Sequence, residues 1–357
     1  MDEPRREFLE KLLTTPSPSG FEAAGQRVWC EYVREFADEV RTDAYGNAVA
    51  VHEGSDGAPE LAFVGHADEV GYIVRDVTED GFLRIAPIGG ADRTVSKGQH
   101  VRIHADEPVP GVIGQTAIHL RDVGEEEYDE LEEQHVDIGA SDAEEARALV
   151  EVGDPVTVST TVSELHAGRL AARGMDNRVG TWAAADGLRR AIEADVDATV
   201  YAVSTVQEEL GLNGAKMVGF DLAPDAAVAV DVTHATDSPG VPGKQEGPVE
   251  LGDGPVIGRG SANHPVLVDL ARETAAEIDL DVQLQAAGIR TGTDADAFFT
   301  SRGGIPSLTV SVPNRYMHTP VEVIDTADLT AVATLLGGIA DAAGDAAGEA
   351  GEFVVDI

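Results

Sequence analysis

The chain has 357 residues and carries 65 Asp and Glu against 25 Lys and Arg, a formal net charge of −40 spread along its length, which argues against a nucleic-acid partner. A 43% hydrophobic content supplies ample core, but no apolar run approaches the roughly 18 residues needed to cross a bilayer, and the opening Met1-Asp2-Glu3-Pro4-Arg5-Arg6 lacks the apolar stretch of a signal peptide. The single cysteine, Cys30, excludes an intrachain disulfide and a cysteine-based metal cluster, so the expectation is a cytoplasmic protein, with no membrane partner, whose metal sites draw on His and carboxylate.

Residues 3–13 have helical spacing (Phe8, Leu9, Leu12, Leu13) and stop before Pro16-Ser17-Pro18-Ser19-Gly20, where proline and glycine impose a turn. A second helix is predicted over about 21–36, with Val28, Trp29, Tyr32, Val33 and Phe36 at core spacing. β-rich runs follow at 48–52, 61–64, 199–205, 226–232 and 307–312, with helical stretches at 178–194 and 265–278 between several of them. Strands alternating with helices predict an α/β fold, a sheet with helices on both faces. Residues 72–164 read differently, as short Gly-, Val- and Asp-rich strands at 81–87, 99–104 and 155–162 with an acidic helix-like stretch at 141–150. A loop of that length without its own core is rare, so this segment is expected to be a small β-rich domain inserted into an α/β domain made of 1–71 and 165–357. The Ala/Gly/acidic tail, 342–352, reads as a frayed helix end.

Five segments put a His, Asp or Glu in a setting suited to chemistry. His66 ends an apolar strand, and open α/β sheets place their sites at the carboxyl ends of strands. Asp68, two residues on, is positioned to take the other ring N–H and fix the tautomer. Asp176 precedes a helix and either caps it or, from a turn held by Gly174-Met175, presents a carboxylate between two ions; we assign it as the bridging ligand. Arg178 either braces the carboxylates or lies at the surface. Glu208 and Glu209 follow the 199–205 strand and project in different directions, so one binds metal while the other faces water; Glu208 is the candidate general base. Asp231 ends a buried-type run and His318 follows another. His234 and Asp237 are expected in structural or surface roles, and Thr291-Gly292-Thr293-Asp294-Ala295-Asp296 forms either a substrate wall or a helix cap. Two imidazoles and three carboxylates, with one further carboxylate to move protons, are a donor mixture for a two-metal hydrolase.

Taken together, Pro16-Ser17-Pro18-Ser19-Gly20-Phe21-Glu22, Gly65-His66-Ala67-Asp68-Glu69-Val70-Gly71, Val136-Asp137-Ile138-Gly139-Ala140-Ser141, Gly174-Met175-Asp176-Asn177-Arg178, Gln207-Glu208-Glu209 with Gly211, Asp231-Val232-Thr233-His234-Ala235, and Met317-His318-Thr319-Pro320 with Glu322 give a chain that resembles the tetrahedral (TET) aminopeptidases of metallopeptidase family forty-two nearly end to end. The resemblance implies one metal held by His66, Asp176 and Asp231, a second held by Asp176, Glu209 and His318, and Glu208 as general base. It also implies a zinc-exopeptidase-like catalytic domain, an inserted β-rich domain used in dimerisation, and hollow homo-dodecamers built from dimers. The expected reaction is removal of N-terminal residues from short peptides by metal-activated water. The expected ions are Zn²⁺, with Co²⁺ or Mn²⁺ also compatible with the ligands.

Rival readings are a deacylase or carboxypeptidase on the same scaffold, an activity of the kind implied by the endoglucanase label that some relatives carry, and a non-enzymatic acidic cation-binding assembly protein. The charge has its own implication. Self-repulsion of this size disfavours the compact state in dilute buffer, whereas at about 1 M salt the screening length falls to about 3 Å. Only four basic residues are Lys (Lys11, Lys97, Lys216, Lys244), the rest being the more weakly hydrated Arg, which fits a halophilic, high-salt setting.

Overall fold

The computed structural model describes residues 1–121, 128–241, 247–346 and 353–355. An eight-stranded mixed sheet runs in the order Glu39–Thr42, Ala48–His52, Thr199–Thr205, Glu60–His66, Ala226–His234, Ser307–Asn314, Val256–Arg259 and Gln283–Ala286. The four central strands, from Thr199–Thr205 to Ser307–Asn314, are parallel. Their Ala- and Val-rich sequences are buried on both faces, as parallel strands covered by helices must be. Antiparallel partners join at each side.

Parallel pairing brings the carboxyl ends together. Thr205 lies beside His66, and Asp231 stands two residues past the Ala229–Val64 pair, level with His66. The helix Met175–Ala194 packs across these strands, backbone against backbone. A Cβ on Gly65 would fall 2.3 Å from the Gly180 carbonyl carbon, and one on Gly180 would fall 2.4 Å from the Val230 oxygen. Glycine at both positions therefore sets how near the helix start comes to His66 and Asp231. The terminal helix Thr326–Ala346 covers the same face; the rest of the expected frayed tail, 347–352, lies outside the described residues. Both tryptophans belong to this layer. Trp29 donates to the Thr181 carbonyl (2.9 Å) and Trp182 to that of Arg5 (3.0 Å), and both are fully buried.

Six antiparallel strands, Gly71–Val77, Leu83–Ile88, His100–Ile103, Val109–Ile113, His135–Asp137 and Pro155–Val158, close into a barrel. The barrel has its own core, built on residues such as Leu83, Ile85, Ile103, Ile113, Val136 and Val156, separate from the core of the large sheet. The predicted helical stretch at 141–150 is helical only over Ala143–Arg147, where Asp142 caps the first turn. A small sheet of Ser163–Glu164, Arg169–Ala172 and Glu322–Asp325 lies beside the Asp176 helix start. Among the described residues no helix is long and apolar enough to cross a membrane.

Candidate metal centre

The helical segment that starts at Met175 is not regular at its beginning: Asp176 and Asn177 have non-helical backbone angles. Asn177, not Asp176, supplies the cap, its side-chain oxygen accepting from Gly180 N (2.9 Å) while its amide donates to the Val230 carbonyl (2.7 Å). The Asp176 carboxylate is thereby left free, and its two oxygens face different imidazoles. Oδ1 is 3.1 Å from His66 Nε2 and Oδ2 is 3.2 Å from His318 Nε2.

Around this carboxylate the remaining donors form two groups. Donor atoms of His66, Glu208 and Asp231 lie within 4.8 Å of one another, as do those of Asp176, Glu209 and His318. The second group is the triad expected from sequence. In the first, Glu208 stands where Asp176 is expected, but Asp176 approaches the His66 ring more closely, the Glu208 oxygen being 3.9 Å from Nε2 and the Asp231 oxygen 3.8 Å. Glu209 reaches His318 Nε2 at 3.3 Å.

Both rings engage Nδ1 outside the cluster and turn Nε2 into it. For His66 the partners of Nδ1 are the Asp68 carbonyl (3.3 Å) and carboxylate (3.4 Å); for His318 the partner is the Gly90 carbonyl (3.2 Å). Asp68 does more than orient a ring. Its carboxylate accepts from Ser19 Oγ (2.7 Å), Glu208 N (2.9 Å) and Glu209 N (3.1 Å), fixing the turn that carries both glutamates. Gln207, just before them, is held at φ +55°, a left-handed conformation uncommon for a residue with a side chain.

Glu322 does the same for the other half. It accepts from Met175 N (2.7 Å) and His318 N (3.0 Å) and is fully buried, so it ties the Asp176 turn to the His318 turn. Sequence reasoning gave Glu322 no role; its only signal is its place four residues after His318. Arg178 does not brace the clustered carboxylates. With Arg173 it binds Glu69, itself anchored by Ser17 N (3.0 Å). Asp294 stands at the N-cap position of the helix Ala295–Phe299, but its side chain makes no capping bond: Thr205 Oγ1 donates to its Oδ2 (2.5 Å), and Oδ1 is buried with no partner among the described residues. The same turn contributes Thr293, buried close to Asp231. His234 is exposed and Asp237 pairs with Arg315, the structural and surface roles expected of them.

The electrostatics are lopsided. Burial pushes Glu208 up to about 10, with Asp231, Asp294 and Glu209 adding to the effect. Burial and Asp176 push Asp231 up to about 7. Hydrogen bonds to Asp176 and Glu209 raise His318 to about 11, and although burial opposes it, Glu208, Asp176 and Asp68 raise His66 well above the ordinary histidine value. Against burial, the two imidazoles hold Asp176 well below the usual carboxylate range. Four carboxylates thus share one buried space with two imidazoles, and among the described residues no Lys or Arg pairs with them. A donor set of this kind, with its Nε2 atoms and carboxylate oxygens converging, fits divalent cations.

A cleft of about 40 Å³ opens beside Asp176 and His318, between the barrel and the turns that carry these two residues, and is walled by Tyr72, Val95, Val158 and Arg173.

Donors at the carboxyl ends of a parallel sheet, in a fold of this layout, define a metal-dependent hydrolase. The chain belongs to the M42 glutamyl aminopeptidase family, whose model matches residues 46–335. It is 33% identical over 328 residues to a lysyl aminopeptidase of Pyrococcus furiosus, covering 90% of this chain and 93% of that protein. Its fold matches the crystal structure of a TET aminopeptidase from the marine sediment archaeon Thaumarchaeota archaeon SCGC AB-539-E09 with a TM-score of 0.89 at 29% identity, covering 95% and 96% of the two chains. It also matches the Pyrococcus horikoshii TET1 peptidase, described as able to assemble into a tetrahedron or a large octahedral shell, with a TM-score of 0.84 at 29% identity, covering 94% and 99%. The protein is a metallo-aminopeptidase.

Proposed function

We propose that this aminopeptidase uses two divalent ions, one held by His66, Asp176 and Asp231 and the other by Asp176, Glu209 and His318, with Glu208 as general base. The observation that carries the reading is the division of Asp176, whose two oxygens address two separate imidazoles at 3.1 and 3.2 Å. Bound there, Zn²⁺, Co²⁺ or Mn²⁺ would polarise a peptide carbonyl, lower the pKa of water and oppose the burial and neighbouring carboxylates that raise Glu208.

Glu208 is not needed to complete either three-residue set, and its carboxylate, 3.9 Å from His66 Nε2 on a backbone fixed by Asp68, stands close enough to both sets to move a proton. Its carboxylate takes the proton of the attacking water and passes it to the leaving amine. Asp68 keeps both glutamates and the His66 ring in register for this transfer. The N-terminal bond of a short peptide is the substrate bond the family membership favours.

The closed barrel supports assigning 72–164 as an inserted domain that pairs copies of the chain, with 1–71 and 165–357 as the catalytic domain. The P. horikoshii relative, described as able to assemble into a tetrahedron or an octahedral shell, supports a closed homo-oligomer, which we take to be a dodecamer built from dimers. The net charge of −40 supports work in a high-salt cytoplasm.

The test is turnover on a panel of aminoacyl amides and short peptides at molar salt, with chelator and after adding back Zn²⁺, Co²⁺ or Mn²⁺. Hydrolysis is expected to need a free N-terminal amine and to vanish with chelator. Equal cleavage of acetylated peptides would point to a deacylase, and full turnover in chelator would remove the metals from the reaction.

A further inference from the structure

We propose that the barrel completes the metal centre. The carbonyl oxygen of Gly90, on the loop between the barrel strands Leu83–Ile88 and His100–Ile103, is the group that orients the His318 ring. This rests on the reading of His318 as a ligand.

The two imidazoles are held unequally. His66 is almost fully buried on a regular strand, and Asp68 from the same domain holds its Nδ1. His318 sits on a turn at φ +62°, with its side chain 31% exposed. Glu322 fixes its backbone amide but not the rotation of its ring. The recorded partner of its Nδ1 is Gly90 O at 3.2 Å, contributed by a segment 228 residues away in sequence. A carbonyl accepts only, so this contact keeps a proton on Nδ1 and leaves Nε2, which hydrogen-bonds Asp176 and Glu209 here, as the ring atom available to an ion.

The loop reaches the ring because it carries no side chains there. A Cβ on Gly90 would lie 2.9 Å from His318 Nδ1 and 3.1 Å from Cε1. A Cβ on Gly89, at φ +64°, would lie 3.1 Å from the Glu209 Cβ and 3.2 Å from a Val70 methyl. The Gly89-Gly90 pair therefore threads between Glu209 and His318, two groups of the same triad, where only bare backbone fits. The adjoining Ala91 and Asp92 continue as one wall of the cleft beside the centre. A module that served assembly alone would have no need to send its backbone between two ligands.

The discriminating variant is Gly90→Ala, because Gly90 is not in the left-handed region and a methyl there meets the ring rather than straining the chain. Zn²⁺ is titrated calorimetrically into the metal-stripped full-length protein at molar salt. Wild type is expected to take up two ions per chain. Gly90→Ala is expected to keep one site unchanged and to weaken the other about 10- to 100-fold, with the melting temperature of the metal-stripped protein unmoved. Two unchanged sites, or equal loss of both, overturns the proposal. A wild type that takes up fewer than two ions refutes the dinuclear reading instead, so the two failures are distinguishable. Should Gly90→Ala fail to fold, a crystal structure of the Zn²⁺-loaded wild type decides: His318 Nδ1 within hydrogen-bond distance of Gly90 O supports the proposal, and a ring turned away from that loop overturns it.

Discussion

Glu69 and Asp231 are both buried carboxylates near the carboxyl end of the same sheet, but the protein treats them in opposite ways. Glu69 meets two guanidinium groups, Arg173 and Arg178, and the Ser17 amide; against burial, the two arginines hold it well below the usual carboxylate range. Asp231 is given a backbone amide and a distant imidazole, and burial pushes it up to about 7. An acid supplied with its own cations is a structural strut. One buried among other acids is poised for cations that come from solution.

The comparison breaks most sharply at Glu208. Glu208→Gln is expected to lower turnover by about 10³-fold while the ion content, measured by mass spectrometry, stays at the wild-type level. Near-normal turnover would take Glu208 out of its role. Next comes the strut: Glu69→Gln leaves two buried guanidinium groups with no carboxylate between them and should cost about 3–5 kcal/mol in denaturant unfolding. A loss under about 1 kcal/mol would show that the arginines find other partners. Asp231→Asn should do the reverse in metal-stripped protein, raising the melting temperature at pH 8 while abolishing tight uptake of one ion.

The two kinds of acid also predict opposite pH responses. Asp231, Asp294 and Glu322 titrate at about 7, 6 and 8 in the fold, chiefly through burial, so each contributes stability that is present below its ordinary carboxylate value and lost as pH rises through those points. His318, raised to about 11, also loses its contribution on the alkaline side. Glu69 works the other way, contributing above its ordinary value near 4.5 and losing that contribution in acid. Metal-stripped protein should therefore lose stability between pH 5 and 8, and added Zn²⁺ should flatten the curve; a melting temperature that rises over that window would contradict the assignment. The smallest effect belongs at the surface. Glu193, 60% exposed beside Arg189, should cost no more than about 1 kcal/mol on change to Gln.

The parts of this molecule that could be read from sequence share one property: the signal is local. The apolar runs at 199–205 and 226–232 announce strands of a sheet covered by helices, and they are found at Thr199–Thr205 and Ala226–His234. His66, Glu208, Glu209, Asp231 and His318 each end or follow such an element, Asp176 stands at a helix start, and the fold brings them together. What was not legible depends on contacts between distant segments. Asp176 reads equally well as a cap until Asn177 is seen to take that task. Arg178 reads as a brace for the ligands until it is seen on Glu69. Gly90 acts through its main chain, which leaves no mark on composition or periodicity. The strands Val256–Arg259 and Gln283–Ala286 are short and only partly apolar, and they owe their state to the sheet edge they extend.

Trp29 and Trp182 both anchor to the catalytic layer, their indole N–H groups spent on Thr181 and Arg5, and the chain has no other tryptophan. Intrinsic fluorescence therefore watches one half of this molecule and is blind to the other. An emission shift of the tryptophans during denaturation dates the collapse of the α/β layer alone, and any earlier or later loss of the barrel domain has to be sought in its tyrosine signal, from Tyr72 and Tyr128, or in far-ultraviolet dichroism.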